Sequence, residues 1–127
     1  MKLLLDTHIL LWATAESRKL SEEARDLVGD AANEVMFSVV SLWEVAIKTS
    51  RRRTLHVDPG LLRRSLLDNG YVELGVSGAH AVALTALPPL HQDPFDRMLV
   101  AQAMIEGVTL LTADPIVAKY PGPIQLV

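Results

Sequence analysis

Apolar residues follow two rhythms along this chain of 127 residues. Short continuous runs occur at Lys2 to Leu5 (KLLL), Val35 to Val40 (VMFSVV) and Val108 to Leu111 (VTLL). Such runs predict strands buried on both faces. Tyr71 to Val76 (YVELGV) is a weaker strand, and Ile124 to Val127 (IQLV) reads as a short final one.

Between the runs the spacing turns helical. Ile9 to Ala15 predicts a short apolar helix, and Ser21 to Ala32 a second, with Ser21 as N-cap and Glu22 and Glu23 in its first turn. Ser41 to Arg51 predicts a third. Pro59 to Leu67 follows Asp58 as cap, with proline at the first helical position. Ser77 to Leu87 stops before Pro88 and Pro89, and Pro94 to Glu106 is stopped by Gly107. Alternating strands and helices predict an α/β domain with a mainly parallel sheet. The length fits one domain over residues 1–127, with Ala86 to Asp93 as the clearest loop.

That architecture gives the acidic residues their interest, because open α/β sheets place ligands beyond the carboxyl ends of their strands. Asp6 directly follows the first run. Glu44 falls in the first turn expected after VMFSVV, Asp114 almost directly follows VTLLT, and Asp96 lies in the first turn after Pro94. Each has a structural alternative. Ser41-x-x-Glu44 has the form of a capping box. Asp114-Pro115, Asp93-Pro94 and Asp58-Pro59 read as N-caps followed by a first-turn proline, Asp96 could partner an Asp93 cap, and Asp6 could cap the helix after it, with Thr7 assisting. Jointly, carboxylates that converge repel one another unless a cation sits between them. Oxygen donors with no cysteine favour Mg²⁺ or Mn²⁺. The four histidines, His8, His56, His80 and His91, lack metal-ligand spacing, which argues against a zinc site.

Charge and composition refine this picture. The formal net charge is -3, which leaves no overall basic footprint for nucleic acid. Setting aside the four candidate acids leaves 11 acids against 12 Lys and Arg, a remainder of +1. Within that remainder, Arg51, Arg52 and Arg53, followed by Arg63 and Arg64, could meet phosphates or could simply form solvated helix ends. Apolar residues make up 50%, enough for a full core with some apolar surface left for a partner. Trp12 and Trp43, on apolar helix faces, are expected to pack in the core, with a place at an interface as the alternative. The lack of cysteine excludes disulfides and fits a cytoplasmic protein. Asp6 and His8 interrupt the opening leucines too early for a secretory leader, and no run is long enough to span a bilayer.

Four segments, LLLDTHILLW, SVVSLWEVAIK, HQDPFDRMLVAQA and LLTAD, resemble in that order the motifs of PIN-domain ribonucleases, especially the VapC-type toxins of bacterial toxin–antitoxin pairs. The resemblance runs from Met1 to about Tyr120. It implies a single PIN-like domain, a parallel sheet flanked by helices, and a metal-dependent endoribonuclease. Asp6, Glu44, Asp96 and Asp114 would be the catalytic, metal-binding acids, with Asp93 ranked below Asp96. Thr7 and Thr112 would be hydroxyls that orient carboxylates, with structural helix or strand roles as the alternative. The cofactor implied is Mg²⁺, with Mn²⁺ as an alternative. A water activated by the metal and oriented by one carboxylate would attack the scissile phosphate. The partners implied are an RNA substrate, a cognate antitoxin and a second copy of the chain. The family often has Asn two residues after the first Asp, where this chain has His8.

Two other readings remain open in the residues. A phosphatase of the haloacid-dehalogenase type also ends an apolar strand in Asp, but it normally places a second Asp two residues later, where this chain has His8. A PIN-fold binding module without chemistry would lack one of the four acids, and none is missing.

Overall fold

The structure, a computed structural model, describes residues 1–52 and 56–127, with Arg51 and Arg52 described by their helical backbone alone. The strands are β1 (Lys2–Leu5), β2 (Glu34–Ser38), β3 (Val72–Leu74), β4 (Thr109–Thr112) and β5 (Ile124–Leu126). All pair in parallel, in the order β3-β2-β1-β4-β5.

The alternation of side chains explains why β1 is apolar throughout. Leu3 and Leu5 point into one core cluster and Leu4 into the other, and all three are 0% exposed. Helices cover both faces, as a parallel sheet requires. One cluster joins β1 and β2 to α1 (Thr7–Thr14), α2 (Glu22–Gly29) and α4 (Pro59–Asp68). The other joins Leu4, Met36 and Leu110 to α6 (Pro94–Glu106) and to Val117 and Tyr120 near the C-terminal end. α3 (Val39–Arg52) crosses between the layers, with Val40 in one cluster and Val45 in the other. α5 (Gly78–Ala83) gives way to a 3₁₀ turn at Leu84–Ala86.

The differences from expectation lie at element ends. Val39 and Val40 do not extend β2; they open α3, and the Val40 N–H bonds to Ser38 Oγ at 3.0 Å. The expected Ser41–Glu44 capping box is therefore absent, and Glu44 lies in the second turn. α2 stops at Gly29 rather than Ala32, and the helix expected from Ser77 to Leu87 tightens into its 3₁₀ turn before Pro88. α6 runs between the expected limits, with Asp93 as cap and Gly107 at φ 67°. Among the described residues, no helix is long and apolar enough to cross a membrane.

From β1 the chain steps outward to β2 and β3, then returns to the other side of β1 for β4 and β5. The strand order thus reverses between β1 and β4. A crevice opens there at the carboxyl ends, and that is where α/β sheets bind ligands.

Candidate functional site

Asp6 and Asp114 leave the two strands that flank this reversal. The ladder continues one step past β1, the Asp6 N–H bonding to Leu111 O at 3.0 Å. Asp6 is both cap and site residue. One carboxylate oxygen accepts the Ile9 N–H at 2.9 Å, capping α1, and the other accepts the Thr112 hydroxyl at 2.6 Å. At 4% exposure, burial pushes the Asp6 pKa up, against the pull of these two donors and of His8. The Glu44 charge pushes it up further.

Glu44 is 3% exposed. Its Oε2 pairs with Lys48 one turn on, while Oε1 is buried without a hydrogen-bond partner among the described residues. Asp96 lies in the first turn of α6, beside the Asp93 cap, whose Oδ1 accepts the Phe95 and Asp96 N–H groups at 2.8 and 3.3 Å. Burial drives the Asp96 pKa to about 7, and the charges of Asp93, Asp6 and Glu44 add to the rise. Four carboxylates from α1, α3 and α6 therefore share one field. Lys48 lies within the same field, since Glu44 foremost, and Asp93 and Asp96 less, raise its pKa.

Asp114 lines the same cleft as Asp6. Its partial burial is outweighed by the Ile116 N–H and by His91, so its pKa falls below the usual carboxylate value. The His91 ring, which sequence reasoning set aside, reaches Asp114 at 3.1 Å and Asp96 at 3.4 Å. One donor atom from each of these three residues lies within 4.8 Å of the others. The only signal for His91 was its place in the loop just before the Asp93-Pro94 helix start. Lys48 was also overlooked, although Glu44 to Lys48 is the favourable i,i+4 order for a helix pair.

Other candidates fall elsewhere. The Thr7 hydroxyl donates to Ser41 Oγ at 2.9 Å rather than to a carboxylate, tying α1 to α3. Arg63 is paired with Glu73. Arg53 and the side chains of Arg51 and Arg52 lie outside the described residues. Trp12 packs against the core with His8 tilted over it, and both line a cleft of about 280 Å³ with Asp6 and Asp114. Trp43 corrects the core expectation: it is 60% exposed, edge-on to Phe95, because it lies one turn on from the exposed Val39 while Val40, Glu44 and Val45 take the inward face of α3.

The sequence model of the PIN domain family matches residues 3–123. The chain belongs to the PIN domain family. That membership sets aside the dehalogenase-type phosphatase. This PIN domain is 29% identical over 126 residues to ribonuclease VapC22 of Mycobacterium tuberculosis (strain ATCC 25618 / H37Rv), covering 97% of this chain and 96% of that protein. Solved structures share the fold. VapBC2 from Rickettsia felis, bound to a DNA fragment from its promoter, gives a TM-score of 0.70 at 15% identity, covering 100% of this chain and 99% of that one. DNA-bound VapBC from Salmonella typhimurium gives 0.68 at 16%, covering 98% and 97%. A toxin–antitoxin complex from Klebsiella pneumoniae gives 0.63 at 20%, covering 97% and 95%.

Proposed function

We propose that this PIN domain, one domain over residues 1–127, is a divalent-metal-dependent endoribonuclease and the toxin of a toxin–antitoxin pair. The observation that carries the metal reading is Glu44 Oε1, a buried carboxylate oxygen without a partner among the described residues, in a field shared with Asp6, Asp93 and Asp96. Buried charge of one sign needs a counter-charge. Hard oxygen donors without thiolate suit Mg²⁺ or Mn²⁺. The likeness to a VapC ribonuclease supports RNA as substrate, and the toxin–antitoxin structures of the same fold support an antitoxin partner. An apolar groove lined by Val39, Val40, Trp43, Val76, Leu84, Pro94 and Met98 suits a protein partner or a second copy of the chain.

Asp6, Glu44 and Asp96 would hold the cation, with Asp114 beside them at the same cleft. The cation, when bound, supplies charge neutralisation at the scissile phosphate and acidifies water. The protein does the rest. The Thr112 hydroxyl and the Ile9 N–H fix the Asp6 carboxylate. Asp114, held by its own donors, would orient the attacking water. Hydrolysis joins the water oxygen to phosphorus as the bond to the leaving sugar oxygen breaks, and that oxygen takes up a proton.

The test is inducible expression of the wild type and Asp96→Asn in a bacterial host, with RNA ends mapped by sequencing, and purified protein incubated with RNA in Mg²⁺, Mn²⁺ or chelator. Growth arrest and new RNA ends in the wild type alone are expected. Equal harmlessness of both proteins, with no metal-dependent cleavage, would sink the reading.

A further inference from the structure

His91 is engaged at both ring nitrogens. Nδ1 accepts the Asp93 N–H at 3.1 Å, so the neutral ring carries its proton on Nε2. Nε2 lies 3.1 Å from Asp114 Oδ2 and 3.4 Å from Asp96 Oδ2. An N–H thus points between two carboxylates, where a cation bridging them would sit. In this tautomer Nε2 has no lone pair to offer a metal.

The loop that carries the ring is braced. The Tyr120 hydroxyl accepts the His91 N–H at 2.9 Å and an Arg97 N–H at 3.1 Å. Arg97 also donates to Pro88 O at 3.0 Å and Leu84 O at 3.3 Å, fastening the loop to α6. Asp114 is satisfied at both oxygens, since Oδ1 accepts the Ile116 N–H at 2.8 Å. Glu44 is not, with Oε1 buried and unpartnered among the described residues. The demand for a cation is therefore lopsided: it falls on Glu44, whose charge Asp6 and Asp96 both feel, rather than on Asp114.

Building on the metal-dependent reading above, we propose that His91 is a positioning residue that confines the site to one divalent cation. It satisfies Asp114 and stands between Asp114 and Asp96, so no second cation can bridge that pair. Asp114 then acts on water rather than as a shared metal ligand.

Mn²⁺ titration followed by electron paramagnetic resonance tests this on the wild type, His91→Ala and His91→Gln, with circular dichroism to confirm folding. The wild type should bind one Mn²⁺ per chain with no nitrogen hyperfine coupling. His91→Ala should admit a second ion and show a spin-coupled pair. His91→Gln, whose amide N–H can still donate to Asp114, should return to one. Nitrogen coupling in the wild type would make His91 a ligand and overturn the proposal. So would two ions in the wild type or a single ion in a folded His91→Ala. Should the alanine variant not fold, the wild-type coupling and the glutamine stoichiometry still decide. Failure of the wild type to bind any Mn²⁺ would instead overturn the metal reading on which this one rests.

Discussion

Folding does marked electrostatic work at Asp96. Its carboxyl, from an ordinary value of 3.8, is held at about 7 by burial and then by neighbouring acids. A folded pKa above the unfolded one contributes stability below the unfolded value, and that contribution is lost as pH rises through the folded value. The metal-free protein should therefore weaken between roughly pH 4 and pH 7, by at most about 4 kcal/mol from this group. Asp6, also raised, acts in the same direction. Urea unfolding in chelator, compared across that range, should show the loss; Asp96→Asn should flatten it, and Mn²⁺ should restore stability at the alkaline end. A wild-type profile without slope would refute this account. Thr112 makes the other residue-scale prediction. Thr112→Val leaves a buried Asp6 oxygen without its donor, at a cost of about 1–3 kcal/mol. It should also weaken Mn²⁺ binding by about 10–100-fold, which calorimetry would read.

At the scale of elements, α6 joins stability to the site. Asp93 caps it and also contributes charge that Asp96 feels. The two roles separate by substitution. Asp93→Ala should lose about 1 kcal/mol with the cap. Asp93→Asn keeps an oxygen for the Phe95 and Asp96 N–H groups and removes the charge, so the metal-free protein should melt higher than the alanine variant. Equal melting temperatures would show that the cap contributes nothing. α6 was legible in the sequence because its punctuation is local: Asp93 and Pro94 start it and Gly107 ends it. The start of α3 was not. Val39 and Val40 are β-branched and read as strand, and Ser41-x-x-Glu44 has a capping pattern. Yet the backbone turns at Ser38, whose hydroxyl accepts the Val40 N–H and donates to the buried Gln102 at 2.6 Å. That contact comes from α6, far along the chain, and no local pattern announces it.

Across the whole molecule, the gathering of acids was legible because it follows from topology: a parallel sheet whose order reverses beside β1 collects whatever follows β1 and β4. His91 was not legible, since its partner Asp114 is 23 residues away and they meet only when the loop before α6 packs on the end of β4. Trp43 was misread for a related reason, as which face of α3 turns inward depends on how the helix packs against β2, α4 and α6. Its exposure makes a prediction about assembly. Trp43→Ser should change stability by no more than about 1 kcal/mol, whereas Phe37→Ala, at a fully buried position, should cost about 3–5 kcal/mol. Denaturant unfolding gives both values. Sedimentation of the serine variant should show weaker self-association or weaker antitoxin binding, and unchanged association in both would remove Trp43 from the interface.

The bond between Asp6 and Thr112 spans 106 residues of chain, and it bears on how the protein comes into being. β1 is made first but sits in the centre of the sheet, waiting for β4. Parallel pairings at such separation form late, because a long loop must close before they are rewarded. A nascent polypeptide therefore holds its first acid long before the last one has been synthesised. The acids gather only when the crossover through α6 brings β4 beside β1, so a folding intermediate without that pairing has no assembled site.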